Sequence, residues 1–490
     1  MVVVRALLVV VLCGLPALKV SEAHPSGPAL KVSAAHPSGP AYTQEPRLAD
    51  KADAAVARSG LSGGRLAIFI YSTRAEAPVY DRDAKKVLRL ASNTKLITTA
   101  CAIAKLGPGY RFRTTLAWDD SGDLHVFGAG DPLIGGRLYG DDPTKVFRDA
   151  AARLKEAGQA SFPGRLVLHP GIFDDVALHP AWVEARYDQD SWWCAPVGGL
   201  SFNDNCVDLI YEGGAGAGDA VKITPRPETR YVSIDNRAAT VQARPKDFGF
   251  VRKDGTNRII ANGELAAGTK PRIAWVAIQD PARYFGTVLR ETLAREGVLV
   301  AGDLAVEPGL KLETKHTELL LVEHTLEEAV KPCNTVSQNL YAEMILKLLG
   351  FRFRGVGSTA AGIEVVQEFL RNDVGVTDVE LVDGSGLARD NKASAESMVT
   401  LLRYMRKHRH GKAFMDSLAV AGASGTLKER MESTAGRVRA KTGSISGVSC
   451  LTGFAESPAG ELFIFSVLAN DWRRGSPREL QDAIGELLAR

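Results

Sequence analysis

Net charge is almost absent from this 490-residue sequence: 60 lysines and arginines face 57 aspartates and glutamates, leaving +3 at neutral pH. Nucleic-acid binders concentrate a basic excess on one face, so that class is set aside. Cysteine is scarce as well. Six in the whole chain, none in a CxxC pair, can neither staple a disulfide scaffold nor form a structural zinc site. The nine histidines include no HExxH, and neither a metal nor another cofactor is expected. Long apolar runs are missing too. The opening stretch from Ala6 to Ala17 is short for a membrane span. With Arg5 before it and small residues after it, this stretch has the form of a secretory signal cleaved after Ala23, Ala35 being a second candidate, and Leu12 before Cys13 does not suit a lipoprotein site. What remains is ordinary globular composition, 45% hydrophobic and 24% charged, with length for two or three domains.

The organisation expected along the chain is a signal at 1–23 and a tether at 24–47, where Pro28–Gly39 repeats Pro16–Gly27 with one change. After cleavage five cysteines remain. Cys194 and Cys206, in a Pro- and Gly-rich stretch, could close a disulfide or remain two buried thiols. Both ends of the remainder read as one strand-and-helix unit: strands at Arg65–Ser72, Ser449–Ala455 and Leu462–Ala469, and helices at Thr94–Leu106 and from Pro477 onward. The middle is rich in short strand-like runs, with one helix near Tyr284–Glu296. Helical periodicity returns at Leu326–Val330, Ser337–Leu349, Ala360–Leu370 and Ser397–Lys407. A split α/β domain interrupted by β-rich inserted domains explains this order, because insertion is tolerated at exposed loops.

Three short patterns carry chemistry: Ser92-Asn-Thr-Lys95, Ser337-Gln-Asn339 and Lys441-Thr-Gly443. Ser-x-x-Lys and Lys-Thr-Gly each occur once; Ser-x-Asn recurs at Ser201-Phe-Asn203, but Ser337 opens a helical segment and fits the motif order of serine acyl-transferases. Residues three apart share a helix face, which sets the Lys95 amine beside the Ser92 hydroxyl. Lysine becomes a base near neutrality only when desolvation and a second cation lower its pKa, and Lys441 is placed by its motif to be that cation. The turn at Ser92 offers a backbone N–H to an oxyanion. Val438–Ser444 reads as a strand in which Gly443 admits a substrate backbone, and Lys441, Thr442 and Ser444 offer a cation and hydroxyls to a carboxylate.

Further stretches fall in a matching order after Leu48: Gly128-Ala-Gly-Asp-Pro132, Ser201-Phe-Asn-Asp-Asn205, Ser337-Gln-Asn-Leu-Tyr-Ala-Glu343, Asp383-Gly-Ser-Gly-Leu-Ala-Arg389, Gly422-Ala-Ser-Gly-Thr426 and Ala440-Lys-Thr-Gly-Ser-Ile-Ser-Gly447. With the three motifs, they resemble the penicillin-recognising serine peptidases, specifically the D-alanyl-D-alanine carboxypeptidases related to penicillin-binding protein 4. The resemblance implies a transpeptidase/β-lactamase-like catalytic domain, an antiparallel sheet with helices on both sides plus a helical subdomain, at 48–115 and 313–490. It implies inserted domains at 116–210 with 271–312 and at 211–270. It further implies hydrolysis of the D-Ala-D-Ala bond of peptidoglycan stem peptides, cross-links included, by an exported, periplasmic or envelope enzyme that β-lactams acylate. Carried over residue by residue, Ser92 is the nucleophile, Lys95 its base, Ser337 and Lys441 the proton relay, and Asn339 a substrate amide contact. Ser92 and Ser444 supply the oxyanion N–H groups, and Thr442 and Ser444 bind the terminal carboxylate. Arg389, with Asp188 or Asp190, binds a diaminopimelate-type side chain. Ala388 departs from the serine often found there.

The same scaffold could serve a β-lactamase or esterase, and a non-catalytic wall-binding protein is the reading outside enzymes. Trp182, Trp192 and Trp193 could wall a substrate groove, with core or interface packing the favoured role. Gly355-x-Gly357-x-x-Ala360 has no convincing strand before it and reads as a turn with Ser358 as helix cap.

Overall fold

The computed structural model describes residues 45–310 and 315–490. The expected signal segment and most of the repeat tether lie outside the described residues. The two ends of the described chain build one antiparallel sheet. Its six strands run, edge to edge, Ala77–Arg82, Arg65–Ser72, Leu462–Asn470, Val448–Glu456, Val438–Ile445 and Ala419–Val420. Arg65 pairs with Asn470 and Ser72 with Phe463, so the first long strand lies beside the last.

Side chains alternate across a strand, and both faces of this sheet are covered. Ile68, Ile70, Leu451, Phe465 and Val467 face the helices Glu45–Arg58 and Pro477–Leu488, through Ala52, Ala55, Leu480 and Ile484. Their neighbours Ala67, Phe69, Cys450, Phe454, Ile464 and Leu468 face the opposite way, into the core of the helical region. That core is centred on the helices Thr94–Leu106, Asn339–Arg354 and Ala395–Lys407. The helix at Glu45–Arg58 was not expected; it begins within the stretch read as tether.

The middle of the chain folds around a second core. A five-stranded sheet, in the order Leu304–Val306, Leu166–His169, Leu124–Phe127, Arg111–Asp119 and His316–Thr325, packs on the helices Lys145–Glu156 and Pro281–Arg295. The pair Arg111–Asp119 and His316–Thr325 leads into and out of this region, with Thr325 opposite Arg111. The borders drawn at 115 and 313 therefore fall inside the first of these strands and just before the second. Cys206–Glu212 and Arg272–Ala277 pair across the neck of a smaller β-rich segment, Tyr211 opposite Arg272. The helix Lys145–Glu156 was overlooked, although Val146, Phe147, Ala150 and Leu154 carry its buried stripe.

One local expectation is revised, and one question left open is decided. The helix after the second motif begins at Asn339, and Ser337 stands before it in the left-handed region, with φ of 67°. Cys194 and Cys206 are free, buried thiols. They belong to different clusters, Cys194 with Trp182 and Leu387 and Cys206 with Ala195 and Ala277. Among the described residues no helix is long and apolar enough to cross a membrane.

Candidate active site

Ser92 lies on a single 3-10 turn, Ala91–Asn93, that runs into the helix Thr94–Leu106. The Asn93 N–H donates to the Leu90 carbonyl at 3.1 Å, and the Thr94 hydroxyl donates to the Ala91 carbonyl at 2.9 Å. Two glycines from distant motifs make room for this turn. A Cβ on Gly386, whose φ is 82°, would stand 1.8 Å from the Ala91 carbonyl oxygen. One on Gly443 would stand 2.5 Å from the Leu90 carbonyl oxygen and 3.2 Å from the Ser92 nitrogen. The space expected at Gly443 for a substrate backbone is thus taken by the protein's own turn.

One helical turn after Ser92, the Lys95 side chain is fully buried. Its amine meets three oxygens: Ser92 Oγ at 3.0 Å, Asn339 Oδ1 at 2.7 Å and the Ser385 carbonyl at 2.7 Å. Across the cleft, the buried Lys441 amine donates to Ser337 Oγ at 2.9 Å and to the Thr442 carbonyl at 2.7 Å. The structure therefore brings Ser92, Lys95, Ser337, Asn339 and Lys441 together from three separated stretches. Both serines are partly exposed while both amines are buried. A substrate can reach the hydroxyls, and water is kept from the amines.

Burial penalises a charged amine. It lowers Lys95 from the ordinary 10.5 to about 8, against the pull of Asp383 and Glu343. Lys441 is pushed well below the usual range, by burial first and by Lys95 second. The repulsion is mutual, so a charge on either amine disfavours a charge on the other. Like charges this close repel, and the ammonium form settles where acceptors are most numerous, three at Lys95 against two at Lys441. Cys333, in contact range of both lysines' fields, is pushed up to about 12 by burial and stays a neutral thiol.

Asn339, expected to hold a substrate amide, has both ends engaged within the protein: Lys95 on Oδ1, and the Trp193 carbonyl accepting from Nδ2 at 2.7 Å. Thr442 donates to the Thr426 hydroxyl at 2.9 Å, and Ser444 is exposed. The short strand Ala419–Val420 pairs only with Arg439 and Ala440, so among the described residues no strand covers that side of Lys441–Ile445. Arg389 donates to the Ser446 carbonyl at 2.8 Å, at the far end of this strand. The Asp190 carboxylate is taken by the Arg252 N–H at 3.1 Å, and Asp188 is exposed.

Several residues that shape the site carried no role in the sequence reading. Asp383, fully buried, accepts from the Gly386 and Ala388 N–H groups, from Asn391 and from the Trp182 indole. It thereby folds the loop that presents the Ser385 carbonyl to Lys95. Glu343, buried on the Asn339 helix, accepts from the Gly384 and Ser385 N–H groups, and burial together with Asp383 raises its pKa. Both stood in motif stretches already singled out, so the signal was present without its meaning. Trp182 packs against Leu387 and Ala388, which gives it the interface role favoured over a groove wall. A cavity of about 520 Å³ lies beside the second motif, between Trp192, Trp275 and Gly135 on the inserted side and Val336, Gln338 and Tyr341 on the other.

The family model for the D-Ala-D-Ala carboxypeptidase 3 (S13) family matches residues 48–490. The chain belongs to the S13 D-Ala-D-Ala carboxypeptidase family. Membership makes it a serine-type carboxypeptidase, a hydrolase. It is 32% identical, over 90% of its length and 84% of the relative's, to a D-alanyl-D-alanine carboxypeptidase of Actinomadura sp. strain R39. Its fold matches the crystal structure of penicillin binding protein 4 from Haemophilus influenzae, with a TM-score of 0.72 at 22% identity over 90% of this chain and 98% of that one. A structure of the same H. influenzae protein complexed with a β-lactam matches with a TM-score of 0.67 at 21% identity over the same shares. The transpeptidase/β-lactamase-like architecture expected from the motifs is the fold of this S13 chain.

Proposed function

We propose that this S13 chain hydrolyses the terminal D-Ala-D-Ala bond of peptidoglycan stem peptides through an acyl-enzyme on Ser92, and that penicillins acylate the same serine. The observation that carries this reading is the environment of the Lys95 amine. Two of its three partners, Asn339 Oδ1 and the Ser385 carbonyl, can only accept, whereas the Ser92 hydroxyl can either accept or donate. Loss of one proton leaves both accepting partners satisfied and turns the amine lone pair toward the Ser92 hydroxyl.

In this reading neutral Lys95 takes the Ser92 proton as Oγ attacks the carbonyl of the penultimate D-Ala. The oxyanion is held by the N–H groups of Ser92 and Ser444, and the terminal carboxylate by the Thr442 and Ser444 hydroxyls. The carbon–nitrogen bond then breaks, and the proton reaches the leaving amine by way of Ser337, hydrogen-bonded to Lys441. Water, deprotonated by Lys95, frees the acyl group and restores the Ser92 hydroxyl. Cleavage of cross-links follows the same steps when the leaving amine belongs to a second peptide, and Arg389 stands at the strand end where a diaminopimelate-type side chain would lie. The signal-like start supports export to the periplasm or cell envelope.

Intact mass after incubation with benzylpenicillin tests the reading. The parent gains the mass of one drug molecule and Ser92→Ala gains none. A parent that neither gains mass nor consumes the drug sinks it.

A further inference from the structure

The helix Asn339–Arg354 starts without the usual local support. Its N-cap, Gln338, makes no side-chain capping bond, and no acidic residue stands in the first turn. A helix start leaves unpaired N–H groups and a partial positive charge, normally met by a capping side chain or a nearby carboxylate. Here the start also carries chemistry, since Asn339 holds Lys95 and Ser337 holds Lys441. Ser337 itself, at φ 67°, is in a conformation that persists only where its surroundings enforce it.

The enforcement comes from the inserted region. Asp204 Oδ2 accepts from Gln338 Nε2 at 2.7 Å, and Oδ1 accepts from the Tyr341 hydroxyl at 2.8 Å. Arg137 closes the set by donating to both the Asp204 carboxylate and, at 3.2 Å, the Tyr341 hydroxyl. The far end of this clamp is itself anchored. Asn203, Asp204 and Asn205 all have positive φ, at 49°, 56° and 52°. Asn203 Nδ2 donates to Asp208 at 2.9 Å, and Asn205 Nδ2 donates to the Pro196 carbonyl at 2.7 Å. Two strained segments from different parts of the chain therefore brace each other through one carboxylate. The same groups line the 520 Å³ cavity from both sides, Arg137 and Asp204 on the inserted side and Gln338 and Tyr341 on the other.

We propose that Asp204 is a positioning residue for the reaction: from the inserted region it fixes the Ser337–Asn339 segment, acting through Gln338 and Tyr341. The inserted region then governs the alignment of the proton relay as well as what approaches the cleft. This rests on the reading of Ser92 as the acylated group, and acylation of the parent protein checks that reading by itself.

The experiment follows acylation by benzylpenicillin in the parent, Asp204→Asn, Asp204→Ala, Gln338→Ala and the double variant Asp204→Ala/Gln338→Ala. Two quantities are read by mass: the fraction acylated at completion and the rate constant at saturating drug. Misplacing a catalytic group by an ångström can cost about a hundredfold. Asp204→Ala is expected to lose about ten- to a hundredfold in rate constant with complete final acylation, and Asp204→Asn, which keeps one acceptor, to lose less. The double variant should be no slower than the slower single, because both substitutions break one contact. A rate constant within twofold of the parent overturns the proposal. So does a loss confined to the acylated fraction, which marks a folding role, or a double variant whose losses multiply. If Asp204→Ala does not fold, Asp204→Asn and Gln338→Ala carry the test, and an unchanged rate constant in both overturns it.

Discussion

On the mechanism proposed above, Lys95 sets the pH at which Ser92 can be acylated. Burial holds its amine at about 8 rather than the ordinary 10.5. Below that value Lys95 is charged and cannot take the Ser92 proton. For a pKa near 8 the neutral fraction is about one tenth at pH 7 and about nine tenths at pH 9, so the acylation rate constant at saturating benzylpenicillin should rise about tenfold across that interval and then level off. Of the acidic groups facing Lys95, Asp383 and Glu343 favour the ammonium, and the Glu343 carboxyl is itself raised by burial and Asp383, while Lys441 is held well below its usual range by burial first and Lys95 second. The stability consequence has a fixed sign. A charged amine in this position is disfavoured in the folded state only, which costs about 3 kcal/mol below pH 8. That cost is relieved as pH rises from about 8 towards 10.5, where the unfolded chain also loses the proton. The assay is single-turnover acylation followed by mass from pH 6 to 9.5, with active enzyme titrated at each pH. A flat profile between pH 7 and 9, or a rising limb still climbing at pH 9.5, would refute the reasoning.

Gly386→Ala places a Cβ against the Ala91 carbonyl at a positive φ, and we expect a loss of about 3 kcal/mol in thermal or denaturant unfolding from overpacking and backbone strain together; a loss under about 1 kcal/mol would show that the turn yields easily. All five described cysteines are buried thiols, so alkylation without reductant should label none of them quickly in the native protein and all five after denaturation, and a mass two hydrogens short with two sites unlabelled would instead reveal the Cys194–Cys206 bond.

The outer framework was legible because it follows from local period. Unbroken apolar runs at Arg65–Ser72 and Leu462–Ala469, and the helical stretches after Thr94 and Pro477, gave strands and helices whose observed ends differ by a residue or so. The helix Glu45–Arg58 escaped because it adjoins a Pro- and Gly-rich repeat whose character was extended too far. The helix Lys145–Glu156 escaped because frequent glycine and proline around it suggested a β-rich stretch throughout. The expected borders of the insert missed the strands Arg111–Asp119 and His316–Thr325 because a pairing between segments about two hundred residues apart leaves no mark on either segment alone.

The same division runs through the site. Spacing by itself placed the Lys95 amine beside Ser92, since residues three apart share a helix face, and the unique Ser-x-x-Lys and Lys-Thr-Gly patterns named the groups the cleft unites. Tertiary structure decided what those groups can do. How far each lysine is shifted depends on burial, and burial belongs to the packed chain. That Gly443 receives the Leu90–Asn93 turn, that Asn339 is held at both ends, and that Ser337 takes a left-handed conformation all depend on neighbours brought in from elsewhere. The Asp204 clamp on Gln338 joins residues 134 positions apart. Helical spacing is set by the backbone a few residues at a time, whereas a carboxylate's choice of partner is settled only once separate segments are packed against one another.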